Sequence, residues 1–286
     1  MKKFFSFFLS GMLLVTCTPQ DAVTPSCEST AGLTLCESCQ SSWASMNFPR
    51  PADSYNYSIC PGTPEWGGLG TQRFNAVQIP PCVLEKMSTQ AVIQALWEYP
   101  ISSDKADAAT GKYLYVFEGQ ESVGGIAVTN AWRELIKRKD AGISLCYRLL
   151  RAFPANATAL ELIMLELMLS QPVILTQLND DLKRMVVAVC YANYYDPARL
   201  QVVGTSYKDA RGILICRAMY AASYAPLIYA VYSNPEFKRY YDGKYPSGMP
   251  DPMPSFLPYT YTMNPSARNI EQQIINFAKQ YLELEE

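Results

Sequence analysis

The chain has 286 residues, 49% of them hydrophobic and 17% charged, with a formal net charge of −2. This is a globular composition, and about 200 residues of helical sequence bury roughly 70% of their unfolded surface, so a sizeable core needs no staples. No basic stripe interleaves with aromatics, so nucleic acid is not an expected partner; histidine is absent, which removes Ser–His–Asp and Cys–His catalysis, His-bearing zinc sites and the imidazole proton shuttle.

Residues 1–16 read as a lipoprotein signal peptide. Lys2 and Lys3 form a basic start, and Phe4–Val15 forms an apolar stretch, too short to span a bilayer. Leu14-Val15-Thr16-Cys17 resembles a lipobox, which makes Cys17 the expected lipid attachment site and the membrane a partner through that lipid. The expected location is the cell envelope, on the inner or outer membrane, facing the periplasm or the exterior.

Residues 17–78 are rich in Ser, Thr, Pro and Gly and show no helical period. The first part, with Cys27, Cys36 and Cys39, reads as a tether. Arg50–Tyr57 and Pro61–Trp66 mix turn residues with aromatics, which predicts an extended arm lying along the body. Cys36-Glu37-Ser38-Cys39 reads as an ordinary tether disulfide or as free thiols. A redox centre, or a four-cysteine metal site with Cys27 and Cys60, fits less well, because redox motifs sit at a helix N-terminus in a strand–helix context.

Residues 79–286 read as a helical domain. Pro81–Met87 makes a short helix, and Ser88 caps Thr89–Glu98, with Pro100 just beyond. The segment Pro61-Gly62-Thr63-Pro64-Glu65-Trp66, then Ile79-Pro80 with Val83-Leu84 and Met87-Ser88-Thr89, then Tyr99-Pro100, resembles a family of Bacteroidetes envelope lipoproteins. Asn130–Leu135 and Lys139-Asp140-Ala141-Gly142 extend the resemblance, which covers roughly residues 50–195. It implies an all-helical fold and envelope anchorage and points to no particular chemistry.

Ile101–Tyr113 is a polar connection. Asn130–Lys137 places Trp132 and Leu135 on one side, and Asp140 is the expected cap of Ala141–Phe153. There Ile143, Cys146, Leu149, Leu150 and Phe153 recur at helical spacing. Pro154 stops that helix, and Asn156 is the expected cap of the next. Ala157–Ser170 is apolar nearly all round, interrupted only by Glu161 and Glu166. A helix of that kind must be covered on most sides, so it is the expected centre, with Leu160, Ile163, Met164 and Leu167 buried. The two glutamates lie about 140° apart round the axis, too far for a glycosidic carboxylate pair. They are expected to be exposed or paired with Arg148, Arg151 or Lys183.

Ser170 is the expected cap of a short helix ending at Leu178. Asn179 caps Asp180–Tyr195, with Leu182, Met185, Val186, Val189 and Cys190 as its apolar stripe. Ser206–Ser223 follows, with Ala210, Ile213, Leu214, Arg217 and Ala221 along one side, and Pro226 and Pro235 each start a short helix. Lys244–Pro265 is rich in Pro, Gly and Met and cannot be regular helix. Tyr245, Met249, Met253, Phe256 and Tyr259 make it a candidate interaction surface, exposed near Met249–Met253 and packed at its flanks. Ser266–Leu284 is the last helix. Cys146, Cys190 and Cys216 lie on or beside apolar faces as small buried groups.

The expected fold is all-α, an array or irregular bundle of antiparallel helices with an extended N-terminal arm and a proline-rich loop before the last helix. With no glycine-rich dinucleotide or phosphate loop, no cofactor is expected. The expected role is a binding or scaffolding module for a protein or glycan. The alternative is a histidine-free, carboxylate-dependent enzyme acting on envelope or dietary glycan. An open aromatic patch would mark the first, a cleft with two carboxylates the second. Tyrosine clusters from Tyr191 onwards, either sealing helix contacts or forming such a patch.

Overall fold

The computed structural model describes residues 49–100, 129–153, 159–194, 206–243 and 265–283. These contain thirteen α-helices, one 3-10 turn and no strand, so the fold is all-α. The leader with Cys17, the tether cysteines Cys27, Cys36 and Cys39, the connection 101–113, the Asn156 cap and the arm residues Tyr245, Met249, Met253, Phe256 and Tyr259 lie outside the described residues.

The first helices come earlier than the composition suggested. α1 (Pro64–Leu69), a 3-10 turn (Gly70–Gln72) and α2 (Arg73–Ala76) occupy part of the expected extended arm. The cause is local: Thr63 Oγ1 accepts from the Trp66 N–H, and Pro64 occupies the first turn, where a missing N–H costs nothing. The segment does pack on the body, with Tyr57, Trp66 and Val77 in the main core. α3 (Pro81–Leu84) and α4 (Thr89–Trp97) follow, the latter capped by Ser88 as expected.

α5 (Asn130–Leu135) buries Trp132 and Leu135. α6 (Ala141–Ala152) starts after Asp140, but that carboxylate accepts from Thr89 Oγ1 at 2.8 Å and makes no cap bond. Ile143 is turned outward, 40% exposed, because Leu145, Cys146, Leu149 and Ala152 define the inner face. α7 (Ala159–Leu169) is the helix expected at the centre; every residue from Leu162 to Leu169 is at most 2% exposed, Glu166 included. α8 (Pro172–Leu175) has Gln171 at its cap position, while the Ser170 hydroxyl donates back to the Leu167 carbonyl and closes α7 instead.

α9 (Asp180–Ala192) is capped by Asn179, whose Oδ1 accepts from the Leu182 N–H at 2.9 Å. Met185 leaves the inner stripe and is 44% exposed. α10 (Ser206–Ala221) is the second centre: Ala210–Met219 is buried on every face, and the helix touches α7, α8, α9, α11 (Ala225–Ser233), α12 (Pro235–Tyr241) and α13 (Pro265–Tyr281). No single described helix is long and apolar enough to cross a membrane; α10 and α11 are bent by 112° at their junction.

Two close approaches fix how these helices sit. A Cβ at Gly142 would lie 2.9 Å from the Ile174 carbonyl oxygen, and one at Gly212 would collide with the Tyr240 hydroxyl. Glycine lets α6 meet α8, and α10 meet α12, at distances no side chain permits.

Candidate functional site

Glu166, on the central helix, is expected from the sequence to be exposed or paired with a basic side chain. Glu166 is neither exposed nor paired with Arg148, Arg151 or Lys183: it accepts from Arg211 Nε at 2.8 Å, and both side chains are 0% exposed. Arg211 also donates to the Asn193 carbonyl and lies 5.0 Å from the Phe153 ring. The group is sealed, so this carboxylate meets no substrate. The Glu161 side chain lies outside the described residues. Nearby, burial pushes the Cys190 thiol up, with the Glu166 charge adding to it, and burial pushes Cys146 to about 11 and Cys216 to about 12. Such thiols are inert packing groups, as expected.

A second chain of polar groups, running from exposed Arg50 and Asp53 to buried Glu98, Gln94 and Arg148, holds the N-terminal arm. Arg50 grips Glu98 with two bonds, at 2.7 and 2.9 Å. Gln94 donates to Glu98 and accepts from Arg148, both at 2.9 Å. Burial pulls Arg148 down to about 10, and the Glu98 charge opposes that fall. Asp53 accepts from the backbone and hydroxyl of Ser88. Burial tends to raise its pKa, but those bonds outweigh it and leave the carboxyl below its ordinary range.

The tyrosines divide between two roles. Tyr194 and Tyr240 are buried, and Tyr224 packs on Phe277 and Tyr281 to seal the α10–α11 turn against α13. Tyr229 and Tyr232 are instead 74% and 76% exposed. The reason is the pattern of α11: Leu227 and Val231, four apart, take the buried face, so positions 229 and 232 fall outside it. The Tyr220 hydroxyl donates to the Tyr232 hydroxyl at 3.2 Å, and the Tyr220 ring lies 4.6 Å from that of Tyr241. Tyr241 is braced by Arg217, whose Nε donates to its carbonyl at 2.7 Å, with Lys238 at 5.6 Å from its ring. The bond to Tyr232, helped by burial, pushes the Tyr220 hydroxyl up to about 12, so at neutral pH Tyr220 is a contact group and not a base. The result is an open face of Tyr220, Tyr229, Tyr232 and Tyr241, ending where the proline-rich segment begins.

Two concavities lie on the described surface. A groove of about 610 Å³ runs along α9, lined by Asp181, Arg184, Met185, Ala188, Tyr191, Ala192 and Leu282. A smaller cleft of about 290 Å³ lies among Pro49, Pro51, Gln90, Tyr147, Arg148 and Arg151. Among the described residues the first is lined by one carboxylate, Asp181, and the second by none. Among the described residues no group of three or more His, Cys, Asp or Glu side chains is placed to hold a metal ion.

Cys82 is the residue the sequence reading passed over. It is half-buried on α3 and disulfide-bonded, whereas Cys146, Cys190 and Cys216 are buried free thiols. No spacing motif includes Cys82, so no pattern singled it out.

Comparison with known proteins finds no matching family, no similar curated protein and no similar solved structure.

Proposed function

We propose that the protein is an envelope lipoprotein, anchored through Cys17, whose helical body binds or scaffolds a protein or glycan partner through the tyrosine face of α11 and the segment that follows it. We also read it as a member of the Bacteroidetes envelope lipoprotein group that its motifs resemble. The observation that carries the binding role is the exposure of Tyr229 and Tyr232 on a helix whose other face is core. Two large aromatic side chains held in water at neighbouring positions of one helix bury little surface on folding, and tyrosine is enriched where partners dock. Tyr245, Met249, Met253, Phe256 and Tyr259 follow α12 directly in the chain and remain candidates for the same surface. The disulfide at Cys82 supports an extracytoplasmic address, because such bonds persist in oxidising compartments.

The test has two arms. Cys17→Ser should move the protein from the membrane to the soluble fraction; unchanged partition sinks the lipid anchor. Tyr229→Ala with Tyr232→Ala should leave the melting temperature nearly unchanged and strip co-purifying partners from solubilised envelope. Partners retained by the double variant would remove the tyrosine face as the site.

A further inference from the structure

We infer that the cleft between α6 and the N-terminal arm binds a free, single-ring sugar acid, with its carboxylate on Arg148 and Arg151 and its ring against Tyr147. The cleft of about 290 Å³ is walled by Pro49 and Pro51 from the arm, Gln90 from α4, and Tyr147, Arg148 and Arg151 from α6. None of these residues belongs to the tyrosine face. Small-ligand sites start near ~300 Å³, so the space suits one ring and not a polymer.

The charge comes from one turn of α6. Arg151 lies three residues after Arg148 and four after Tyr147, so it has both as neighbours on the helix surface. Arg148 is buried and fixed: it donates to Gln94 Oε1 at 2.9 Å, and its guanidinium lies 5.4 Å from the centre of the Trp97 ring. A carboxylate therefore meets a guanidinium that is already ordered, which lowers the entropy cost of binding. Arg151 is exposed and closes on the ligand from outside. Guanidinium groups match carboxylate geometry through paired bonds. No carboxylate lines the cleft among the described residues. The Glu98 charge does reach Arg148, but Arg50 grips Glu98 with two bonds and offsets it, so the cleft keeps a positive potential.

The rest of the lining favours a sugar over a bare anion. Tyr147 is 59% exposed, and its ring offers an apolar face beside a hydroxyl. That suits a sugar ring, which presents C–H groups on one side and hydroxyls round its edge. Gln90 is exposed, and its amide both donates and accepts, as hydroxyls require. Pro49 and Pro51 have no backbone N–H and make the facing wall apolar. Arg50, between them, holds that wall in place through its bonds to Glu98. Inorganic phosphate would use the arginines alone, and an aromatic acid would leave the Gln90 amide unanswered.

The experiment titrates the full-length protein, in detergent at low salt, with sodium glucuronate, a uronate disaccharide, glucose, benzoate and phosphate, read by calorimetry. Glucuronate should bind at one per chain. Glucose, benzoate and phosphate should each be weaker by about tenfold or more, as should glucuronate on Arg151→Ala or Tyr147→Ala. Both side chains are exposed, so these variants should keep the wild-type melting temperature. Arg151→Lys should recover only part of the loss, because lysine keeps the charge but not the paired bonds. Lys137→Gln removes an exposed charge outside the cleft and should bind as the wild type does. The assignment is overturned by glucose, benzoate or phosphate binding as tightly as glucuronate, or by the disaccharide binding more tightly. Unchanged binding in Arg151→Ala, an equal loss in Lys137→Gln, or no glucuronate binding at all also overturns it.

Discussion

A guanidinium and a carboxylate with no exposed surface face each other where α7 crosses α10. Removing two charges from water costs several kcal/mol per ion, so the Glu166–Arg211 pair is weak evidence for stability and stronger evidence for register. Arg211→Met should cost about 3–5 kcal/mol, because Glu166 is left as a buried charge without its main partner. Adding Glu166→Leu should recover most of that loss, as read by urea denaturation of each variant. A double variant no better than the single would show that the pair itself supplies net stability. Asp53 gives a pH-dependent counterpart. Its folded pKa lies below the ordinary value, so the stability it contributes is fully present above the unfolded carboxyl range, near 3.8, and disappears as pH falls through the folded pKa. The melting-temperature difference between the wild type and Asp53→Ala should be constant from pH 5 to 7 and shrink below about pH 4. A difference that grows in acid would contradict the Ser88 clip.

At the scale of elements, α7 is tested by removing volume and α6 by adding it. Leu167 is 0% exposed, and Leu167→Ala should cost about 2–5 kcal/mol in transfer and cavity terms. A loss under about 0.5 kcal/mol would place α7 at the periphery. Gly142→Ala tests packing against propensity. Alanine is favoured over glycine within a helix by about 1 kcal/mol, yet its Cβ would meet the Ile174 carbonyl at 2.9 Å. The clash is with backbone, which cannot rotate away, so we expect net destabilisation of about 1–3 kcal/mol; a stabilised variant would mean that α6 and α8 part easily. α7 and α10 mark what could be read in advance. α7 was legible because almost nothing offsets its apolar run. α10 was legible as a helix with one apolar side, but its burial on every face was not, because Arg211 and Arg217 are charged by type and buried in place, and their partners lie 45 and 24 residues away along the chain. The helices of 64–76 were missed for the opposite reason: one threonine cap and one proline start them, signals too short to produce a period. Likewise Asp140 and Ser170 have the right chemistry for caps, but Thr89 and the Leu167 carbonyl claim them first.

For the whole molecule, the same tyrosine-rich half both closes the core and opens to water. Residue type could not separate Tyr194 and Tyr240, which are buried, from Tyr229 and Tyr232, which are not; the apolar spacing of Leu227 and Val231 could have. Arg217 links the two regions, donating to the Ser170 carbonyl at the end of α7 and to Tyr241 at the edge of the open face. The face is thus braced from the core. A rigid aromatic surface of this kind loses little entropy when a partner docks. The most direct measurement places a photo-crosslinking amino acid at position 232, and at 147 in the smaller cleft as control, in cells carrying the full-length protein. The account predicts discrete adducts from position 232 that are absent from 147 and lost in Cys17→Ser. Adducts from 147 alone, or none from 232 in membrane-held protein, would contradict it.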